Sequence, residues 1–443
     1  MTRFQVPPPE VIPSLQKHIL VDGFHVIIDL EKSKGSYIHD AVTGKELLDF
    51  YSYFASLPIG HNHPKLVGDA EFMKALTRAA VANPANSDIY CSEYAYFVED
   101  FAKKAMPKEF KYLFFVAGGA LAVENALKTA FDWKVRKNRA AGKGDKGTQV
   151  LHFREAFHGR SGYTMSLTNT DPIKIELFPK FSWPRVSNPK LQFPLNDAEN
   201  KRVAEAEKKA VAEIEEAFQK NPDDIAAMII EPIQGEGGDN HFRKEFFQEL
   251  RRLADKHDTL LIFDEVQTGG GLTGKLWCYQ HFGVTPDIVA FGKKFQVCGI
   301  MAGPRLDSVP DNVFKMSGRI NSTWGGNLVD MVRCVKYLEI IEEDKLVQNA
   351  AAMGERMQKG LLDVAKRHDC ISNVRGRGLF VAFSFPNTAQ RNAVRQTCWE
   401  LGLASLNSGA TSIRFRPCLT VGAPEIDKAL EILDRALVQS KGK

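Results

Sequence analysis

The stretch Leu260–Gly299 reads LLIFDEVQTGGGLTGKLWCYQHFGVTPDIVAFGKKFQVCG. It contains two apolar runs, Leu260–Phe263 and Ile288–Phe291, each bounded by glycine, proline or charged residues. Runs of this length and setting are typical of buried parallel strands. Asp264 follows the first run, and Lys293 follows the second after one glycine. Because ligands in open α/β sheets bind beyond the carboxyl ends of the strands, the pattern predicts a carboxylate and an amine at one edge of a sheet.

This carboxylate and amine allow two interpretations. A carboxylate can hold a protonated pyridine nitrogen and an amine can form a Schiff base, and these are the protein groups that pyridoxal phosphate (PLP) needs. An ion pair at a strand edge explains the same two residues equally well, because such pairs are common and mostly structural. The surrounding sequence is needed to choose between them.

Alternating strands and helices surround the stretch. The run Ile225–Ile230 ends in Glu231–Gly238, a glycine-rich loop with two carboxylates, and the amphipathic segment Phe242–His257 leads to the strand before Asp264. Strand, helix, strand, connection and strand form the repeating unit of a parallel sheet with right-handed crossovers. The sequence therefore predicts an α/β protein, with a functional-site candidate in the loop after Ile230.

A phosphate site is predicted at the beginning of a helix. The aromatic strand Tyr112–Val116 meets Gly118 and Gly119, and Ala120–Lys128 has helix-forming composition. Glycines allow a ligand to approach the backbone closely, and free N–H groups at a helix start attract an anion. The segment has neither the Gly-Lys-Ser/Thr of a Walker A loop nor a GxGxxG motif, which disfavours a nicotinamide site.

Two further segments carry candidate binding residues. After the strand Gln149–Phe153, Phe157 has a ring that could stack on a planar cofactor, and Arg160 could hold a carboxylate with two hydrogen bonds. A core phenylalanine and a surface arginine explain these residues equally simply. Near the other end of the chain, the strand Ser412–Phe415 carries Arg414.

The pattern also predicts the domain organisation. Val26–Leu30, Gly35–Ile38 and Leu47–Tyr53 resemble strands of a small antiparallel unit. After residue 330, helical and strand patterns alternate as in a second, smaller α+β domain. We therefore expect an N-terminal arm and part of the small domain over residues 1–60, a large cofactor-binding domain over residues 61–329 and a C-terminal small domain over residues 330–443.

Composition excludes several classes of protein. The 443 residues have a net charge of +4, from 58 Lys and Arg against 54 Asp and Glu, which is too balanced for nucleic-acid binding. No apolar run approaches the roughly 20 residues of a membrane helix, so no membrane contact is expected. The seven cysteines form no CxxC pair and His61 to His63 lack further ligands, so we expect no metal site and a reducing cytoplasm.

Taken together, the motifs resemble those of a known family. They are Leu48–Phe50, Gly60–His61, Glu124 and Lys128, Phe157–Arg160, Glu231–Gly237, Phe263–Gly269, Pro286–Ile288 with Lys293, and Thr323 with Gly325–Asn327. In this order they resemble the class III (ω-)aminotransferases of PLP fold type I, and within that class the branch that acts on the ε-amino group of lysine. The resemblance covers about Val21 to Ser440.

The resemblance implies a fold, a reaction and partners. The fold is α/β and like that of aspartate aminotransferase, with a large domain built on a mainly parallel seven-stranded sheet and a smaller α+β domain. The reaction is a ping-pong transfer of the ε-amino group of L-lysine to 2-oxoglutarate, with PLP as cofactor. The implied assembly is a homodimer.

The resemblance also implies a role for each site residue. Lys293 forms the Schiff base with the cofactor and moves the proton, and Asp264 pairs with the pyridinium nitrogen. The other implied roles are phosphate binding by the N–H groups of Gly119 and Ala120 and, in the partner subunit, by Thr323; ring contacts by Phe157 and Gln267; and binding of substrate carboxylates by Arg160 and Arg414.

A role for Glu236 is inferred from the different demands that the two substrates make on Arg414. The ε-carbon of lysine bears no carboxylate, so Arg414 beside it is an unpaired charge in a dry pocket, which is costly. The keto acid carries a carboxylate there and needs Arg414 free. A movable acid solves the conflict, and Glu236 in its glycine-flanked loop is the candidate. A fixed loop carboxylate is the alternative.

Two departures from the wider class affect these assignments. The phosphate turn Gly118–Leu121 lacks the usual hydroxyl side chains, so backbone N–H groups have to bind more of the phosphate. The usual glycines after the cofactor lysine are absent, which leaves Lys293 and Lys294 adjacent. Lys293 has the expected spacing after Pro286–Ile288, and Lys294 should point away because neighbouring strand residues face opposite sides.

Other activities are compatible with the same residues. An ω-aminotransferase for ornithine, acetylornithine or 4-aminobutyrate would use the same Glu236 and Arg414 switch. A PLP aminomutase or racemase would retain Lys293 and Asp264, but would not need two arginines that bind carboxylates.

Overall fold

A computed structural model describes residues 2–440 of the chain. Within this range the strands in chain order are β1 Tyr37–His39, β2 Glu46–Asp49, β3 Tyr112–Val116, β4 Gln149–Phe153, β5 Arg185–Val186, β6 Ile225–Ile230, β7 Leu260–Asp264, β8 Ile288–Phe291, β9 Cys298–Ala302, β10 Ser372–Arg377, β11 Phe380–Ser384, β12 Leu403–Ala404, β13 Leu406–Ser408 and β14 Ser412–Phe415.

The α-helices connect and cover these strands. In chain order they are α1 Val11–Gln16, α2 Pro64–Val67, α3 Ala70–Ala82, α4 Ser92–Lys104, α5 Gly119–Ala140, α6 Gly162–Leu167, α7 Asp197–Lys220, α8 Lys244–Lys256, α9 Leu328–Glu343, α10 Leu346–Ala365, α11 Thr388–Glu400 and α12 Ala423–Gln439. Short 3₁₀ turns lie at Pro8–Glu10, Pro172–Lys174, Cys278–His281, Lys293–Phe295 and Pro304–Ser308.

A seven-stranded sheet forms the centre of the molecule. Its strand order is β3-β9-β8-β7-β6-β4-β5. The pairs from β8 to β5 are parallel, and β9 alone runs against its neighbours β8 and β3. The predicted α/β fold with a mainly parallel seven-stranded sheet is confirmed.

Apolar layers cover both faces of this sheet. Leu261 and Phe263 pack in one buried cluster, which also contains the apolar side chains of α8. Leu260 and Ile262 pack in a second cluster, together with the apolar side chains of α5. Because both faces are covered, every position of β7 is buried, and this explains its continuous apolar run.

Two smaller sheets complete the fold. The strands β10, β11, β14 and β13 form an antiparallel sheet, and α10 packs against β10 and β11. The third sheet joins the two ends of the chain, because β2 pairs with β1 and, in parallel, with β12. This pairing suits a small domain made from both ends. The limits at residues 60 and 330 stay a prediction, since α9 crosses residue 330, and residues 1 and 441–443 lie outside the described range.

Sequence patterns predicted many of the strands but not all of them. The bounds of β3, β4, β6, β8 and β14 are those predicted, whereas β5, β9, β12 and β13 were not predicted. The expected strand Val26–Leu30 contributes only a bridge between Ile28 and Asp40. The expected strand Leu47–Tyr53 is wrong beyond Asp49, because Asp49 Oδ1 accepts hydrogen bonds from the N–H groups of Tyr51 and Ser52 and turns the chain.

The residues after this turn have an unusual backbone. Ser52–Ala55 form a left-handed turn, with φ between 40° and 64° at all four residues. Such angles are costly for residues other than glycine and are found mostly where function requires them. This turn borders the site described below.

Among the helices within residues 2–440, none combines the length and the apolar composition needed to cross a membrane.

Candidate active site

A cavity of about 490 Å³ lies at the carboxyl ends of β6, β7 and β8. Nine of the ten predicted site residues line it, and Thr323 does not. The nine are Gly119, Ala120, Phe157, Arg160, Glu236, Asp264, Gln267, Lys293 and Arg414. The expectation that the ends of parallel strands bring Asp264 and Lys293 to one edge of the sheet therefore agrees with the geometry.

Lys293 presents its amine to this cavity. It begins the 3₁₀ turn after β8 with φ at 49°, and its Nζ donates a hydrogen bond to the carbonyl oxygen of Phe54 at 3.1 Å. Burial, together with the nearby positive charges of Arg414 and Arg416, lowers its pKa to about 8. A lowered pKa makes the neutral, nucleophilic amine accessible near physiological pH.

Lys294 lies in the protein interior beside the cavity. Its Nζ donates to the carbonyl oxygens of Gln267 at 2.7 Å and Ala55 at 3.2 Å. The two lysines thus point in different directions, as expected, but the expected reason is wrong. They belong to a 3₁₀ turn rather than a strand, and of the two only Lys293 lines the cavity.

The left-handed turn holds this lysine pair in place. The carbonyl groups of Phe54 and Ala55 accept from the two lysines, and that of Ser56 accepts from Gln296 Nε2 at 2.7 Å. No sequence pattern indicated this arrangement, because no characteristic amino-acid composition marks a run of residues with positive φ.

Asp264 is oriented by a histidine that sequence analysis did not assign to the site. His158 Nδ1 donates to Asp264 Oδ2 at 2.8 Å, and the N–H of Val266 donates to Oδ1 at 3.1 Å. The His158 side chain is buried, and Thr168 Oγ1 accepts from its backbone N–H at 3.0 Å. Its position within the Phe157–Arg160 motif was the only signal for it.

Glu231 connects two sides of the site; the sequence placed it in the candidate loop but predicted no role for it. Its Oε1 accepts from the N–H of Phe157 at 2.8 Å, and its Oε2 accepts from the N–H of Gly235 at 3.0 Å. The carboxyl is buried, and burial raises its pKa to about 7. Glu231 therefore links the backbone at Phe157, whose ring is the candidate to stack on the cofactor, to the loop that carries Glu236.

The beginning of α5 fits a phosphate group. Gly118, with φ at 106°, precedes the helix and carries no side chain that could occupy its first N–H groups. A Cβ atom on Gly119 would lie 2.9 Å from Val266 Cγ1, and one on Gly159 would lie 2.6 Å from Ala120 Cβ. Backbone N–H groups, small residues and the open helix start together provide an anion site. With an amine, a carboxylate and an aromatic ring at the same cavity, the residues fit PLP.

Arg414 is paired with an acid at this cavity. The arginine side chain is 3% exposed, and its Nη2 lies 2.8 Å from Glu236 Oε2. Lys174 Nζ lies 2.6 Å from the other oxygen, Oε1. Burial alone would raise the pKa of Glu236, but Arg414 and Lys174 lower it to about 2, so the acid is ionised at neutral pH. Lys174 was not predicted.

The glycines around Glu236 serve packing rather than mobility. A Cβ atom on Gly235 would lie 2.4 Å from Gln267 Oε1, and one on Gly237 would collide with the carbonyl oxygen of Glu155. Reciprocal backbone hydrogen bonds between Gln234 and Asn240 close the loop. The backbone is thus held at both ends, and movement of the acid has to come from its side chain. This corrects the reason for which glycine-flanked Glu236 was proposed to move.

Two other arginines flank Arg414. Arg160 lines the cavity and is exposed to solvent. Arg416 is buried behind the cavity, 2.6 Å from the equally buried Asp239, and its Nη2 donates to Gln267 Oε1 at 3.4 Å. The cavity therefore offers one accessible and one masked guanidinium.

Thr323 lies outside this cavity, on the surface. Its carbonyl oxygen accepts a hydrogen bond from Ser87 Oγ at 2.9 Å. Large apolar side chains around this contact are exposed. The exposed fraction is 46% for Trp324, the next residue in the chain, and 69% and 76% for Ile89 and Tyr90, which follow Ser87. The role of Thr323 in a partner's site stays a prediction.

Comparisons with known proteins extend over nearly the whole chain. The family model of class III aminotransferases matches residues 20–437. The L-lysine-epsilon aminotransferase of Mycobacterium tuberculosis is 50% identical over 432 residues, which are 97% of this chain and 96% of that protein. That of Streptomyces clavuligerus is 50% identical over 427 residues, with coverages of 96% and 93%. A solved structure described as lysine aminotransferase from M. tuberculosis superposes with a TM-score of 0.96 at 50% identity, covering 98% of this chain and 100% of that one.

Proposed function

Because this chain belongs to the class III aminotransferases, we propose that it transfers the ε-amino group of L-lysine to 2-oxoglutarate. The products are L-glutamate and 2-aminoadipate 6-semialdehyde, which cyclises to 1-piperideine-6-carboxylate. The observation that carries the ω-amino transfer is the masked Arg414 beside the accessible Arg160, an arrangement that enzymes for other ω-amines would share. The identity of 50% to proteins named for the lysine ε-amino group supports the choice of donor.

The enzyme depends on PLP, the cofactor of its family. When bound, PLP supplies an aldehyde and an electron-withdrawing ring that stabilises negative charge on the reacting carbon. We assign its covalent attachment to Lys293 Nζ and the proton at its ring nitrogen to the Asp264 carboxylate, which His158 orients. The N–H groups of Gly119 and Ala120 would hold its phosphate, and Phe157 and Gln267 would contact its ring.

Lys293 also acts as the acid–base group. With PLP bound, the neutral Nζ of Lys293 would take up a proton from the ε-carbon of lysine, and the resulting ammonium would later give this proton up again. General bases work best with a pKa near the working pH, and a pKa of about 8 satisfies this condition. The hydrogen bond to the Phe54 carbonyl keeps the amine at the cavity wall.

Glu236 adapts the site to each substrate. With lysine bound by its ε-amine, the reacting carbon bears no carboxylate, and Glu236 neutralises Arg414. With 2-oxoglutarate, the carboxylate next to the keto group takes Arg414, and the Glu236 side chain moves aside. Leaving Arg414 buried without any anion would be destabilising by several kcal/mol, so the exchange of one carboxylate for another is favoured.

Arg160 binds the part of each substrate that does not react. It is solvent-accessible at the cavity and can form two hydrogen bonds to a carboxylate. We assign to it the α-carboxylate of lysine and the distal carboxylate of 2-oxoglutarate. Both substrates then share one carboxylate site and differ at the other.

A homodimer completes the proposed site. The exposed apolar side chains Ile89, Tyr90 and Trp324 support a subunit interface around Thr323, because exposed apolar patches mark contacts between proteins. Thr323 would then reach the phosphate in the partner subunit. A cytoplasmic location is proposed from the buried thiols Cys278 and Cys334, which form no disulfide.

One experiment tests the donor. The PLP form is mixed with L-lysine, and separately with L-ornithine and 4-aminobutyrate, and the visible absorbance of the bound cofactor is followed through a single turnover. Fast decay with lysine and a cyclic imine as product are expected. Fast decay only with ornithine or 4-aminobutyrate would move the enzyme to a sister activity. Repeated turnover of lysine without a keto acid, with the cofactor absorbance retained, would indicate an aminomutase or racemase.

A further inference from the structure

Lys174 is a charged side chain at the site to which the proposed function gives no role. Resting on that function, we propose that Lys174 is a positioning residue that receives the Glu236 carboxylate whenever a substrate carboxylate occupies Arg414. Lys174 thereby sets how readily the enzyme changes from its amine donor to its keto-acid acceptor.

Glu236 already contacts two cations from opposite sides. Oε2 lies 2.8 Å from Arg414 Nη2, and Oε1 lies 2.6 Å from Lys174 Nζ. A carboxylate that leaves Arg414 therefore needs no new counterion, because it keeps the contact through its other oxygen. Within residues 2–440, no other Lys, Arg or His side chain forms an ion pair with Glu236.

Lys174 is available to Glu236 and to no other acid. Its side chain is 13% exposed, and in the part of the chain that the structure describes Glu236 is its sole ion-pair partner. Its remaining contacts are the hydroxyl of Thr170 at 3.3 Å and the ring of Phe157, whose centroid lies 5.5 Å away. Neither competes for its charge, and both hold the ammonium beside the cavity wall.

The short turn that carries Lys174 fixes its position. Pro172–Lys174 form a 3₁₀ turn, which Asp171 caps by accepting from the N–H of Ile173 at 3.1 Å. The backbone of the Glu236 loop is also held, by the hydrogen bonds between Gln234 and Asn240. With both backbones fixed, the exchange reduces to a rotation of the Glu236 side chain between two fixed cations.

The two substrates depend on Lys174 unequally. While lysine is bound, Glu236 has both Arg414 and Lys174 as counterions. While 2-oxoglutarate is bound, Arg414 is occupied and Lys174 is the remaining counterion of a partly buried acid. Loss of Lys174 therefore destabilises the state that accepts the keto acid more than the state that accepts lysine.

The test uses the holoenzyme, with glutarate as an unreactive dicarboxylate. In Lys174→Met we expect the Kd of glutarate, measured by calorimetry, to rise about tenfold, as for loss of one charged hydrogen bond. The single-turnover rate with lysine should change much less, and Lys174→Arg should restore glutarate binding. Lys180→Met is the matched control, because within residues 2–440 Lys180 donates only to the carbonyl oxygens of Ile175 and Phe178.

A second variant shows whether Lys174 acts as the counterion of Glu236 or binds the substrate directly. In a Glu236→Gln background the Lys174→Met change should leave the Kd of glutarate unaltered, because no charged acid then needs a counterion. Persistence of the tenfold loss would mean that Lys174 binds the dicarboxylate itself and would overturn the proposal. Tighter binding of glutarate in Lys174→Met would also overturn it, since Lys174 would then hold Glu236 on Arg414.

Two remaining outcomes concern the whole scheme. Equal losses with lysine and glutarate, accompanied by a lower melting temperature, would show that Lys174 only supports the fold. Failure of the wild-type enzyme to react with lysine would refute the proposed donor, and this is seen before any variant is made. A wild type that reacts with lysine and a Lys174→Met variant that keeps its glutarate affinity would refute the role of Lys174 alone.

Discussion

Glu236 Oε2 lies 2.8 Å from Arg414 Nη2. The acid belongs to the loop after β6 of the central sheet, whereas the arginine belongs to β14 of the antiparallel sheet. This ion pair thus connects the two sheets across the cavity. In the proposed reaction this pair is broken and re-formed in each catalytic cycle.

Removal of the Glu236 charge should affect the two half-reactions differently. In Glu236→Gln, Arg414 lacks an anion while lysine is bound, so we expect the lysine half-reaction to slow by about tenfold to a hundredfold. The 2-oxoglutarate half-reaction should slow less, because its own carboxylate occupies Arg414. Rapid mixing of each substrate with the matching cofactor form measures the two rates separately. Equal losses in both would remove the switch.

Of the two adjacent lysines, we expect Lys293 to be needed for the reaction and Lys294 to be needed for stability. We expect Lys293→Ala to lose turnover and the visible absorbance of bound cofactor. We expect Lys294→Ala to keep both and to lower the free energy of unfolding by about 2 kcal/mol, because the carbonyls of Ala55 and Gln267 lose a buried donor. Spectra and denaturant titrations of both variants test this, and the reverse result would assign the cofactor to Lys294.

The pKa of Lys293 predicts how the stability of the cofactor-free protein depends on pH. Burial lowers this pKa from 10.5 to about 8 in the folded chain. Between these two values the unfolded chain binds a proton that the folded chain does not, so the contribution of Lys293 to stability rises with pH in this window. Below pH 8 both states are protonated and the full cost of the buried charge remains.

Denaturant titrations of the cofactor-free wild type and of Lys293→Met check this expectation. From pH of about 7 to about 10.5, the stability of the wild type should rise relative to the variant by up to about 3 kcal/mol. A difference that stays constant over this range would show that the amine keeps its ordinary pKa.

The hydrogen bond between His158 and Asp264 predicts unequal effects of two substitutions. Asp264→Asn removes a charge that is worth about 4 kcal/mol beside a cation at an effective dielectric constant near 20, so we expect kcat/KM to fall about a thousandfold. His158→Gln removes one bond that orients the carboxylate and should lower kcat/KM about tenfold. If the His158 variant were the more impaired, the histidine would have to act on the cofactor directly.

Close packing at Gly237 predicts that one added methyl group displaces the Glu236 loop. A Cβ atom there collides with the carbonyl oxygen of Glu155, whereas one on Gly23 meets no atom within 4 Å. We expect Gly237→Ala to fold and bind cofactor but to lose most of its lysine half-reaction, and Gly23→Ala to match the wild type. A fully active Gly237→Ala enzyme would show that the loop position is not critical.

Local patterns were sufficient for most strands of the central sheet and for the position of two candidate site residues. Continuous apolar runs such as Ile225–Ile230 mark strands covered on both faces, and the residue after each run lies at the same sheet edge. The position of Asp264 and Lys293 follows from this rule alone. The family resemblance added the assignment of Arg414 and Glu236, which are distant in sequence.

Contacts between distant segments account for what was missed. His158, Glu231 and Lys174 are ordinary polar residues in the sequence, and their importance comes from a partner more than 60 residues away. The left-handed turn Ser52–Ala55 has no compositional signal, since its conformation is imposed by Asp49 and by contacts with Arg416. Such features arise from packing, which a one-dimensional pattern does not record.

Sequence alone was enough to predict the α/β fold and to place Lys293 and Asp264 at one edge of its sheet, because strand periodicity places residues at sheet edges without knowledge of the rest of the chain. Tertiary structure was needed to learn that both lysines lie in a 3₁₀ turn, that glycines fix the Glu236 loop and that Lys174 pairs with the Glu236 carboxylate. The physical reason is that charge pairing and close packing depend on distances in space, and residues such as Lys174 and Glu236 become neighbours only when the chain has folded.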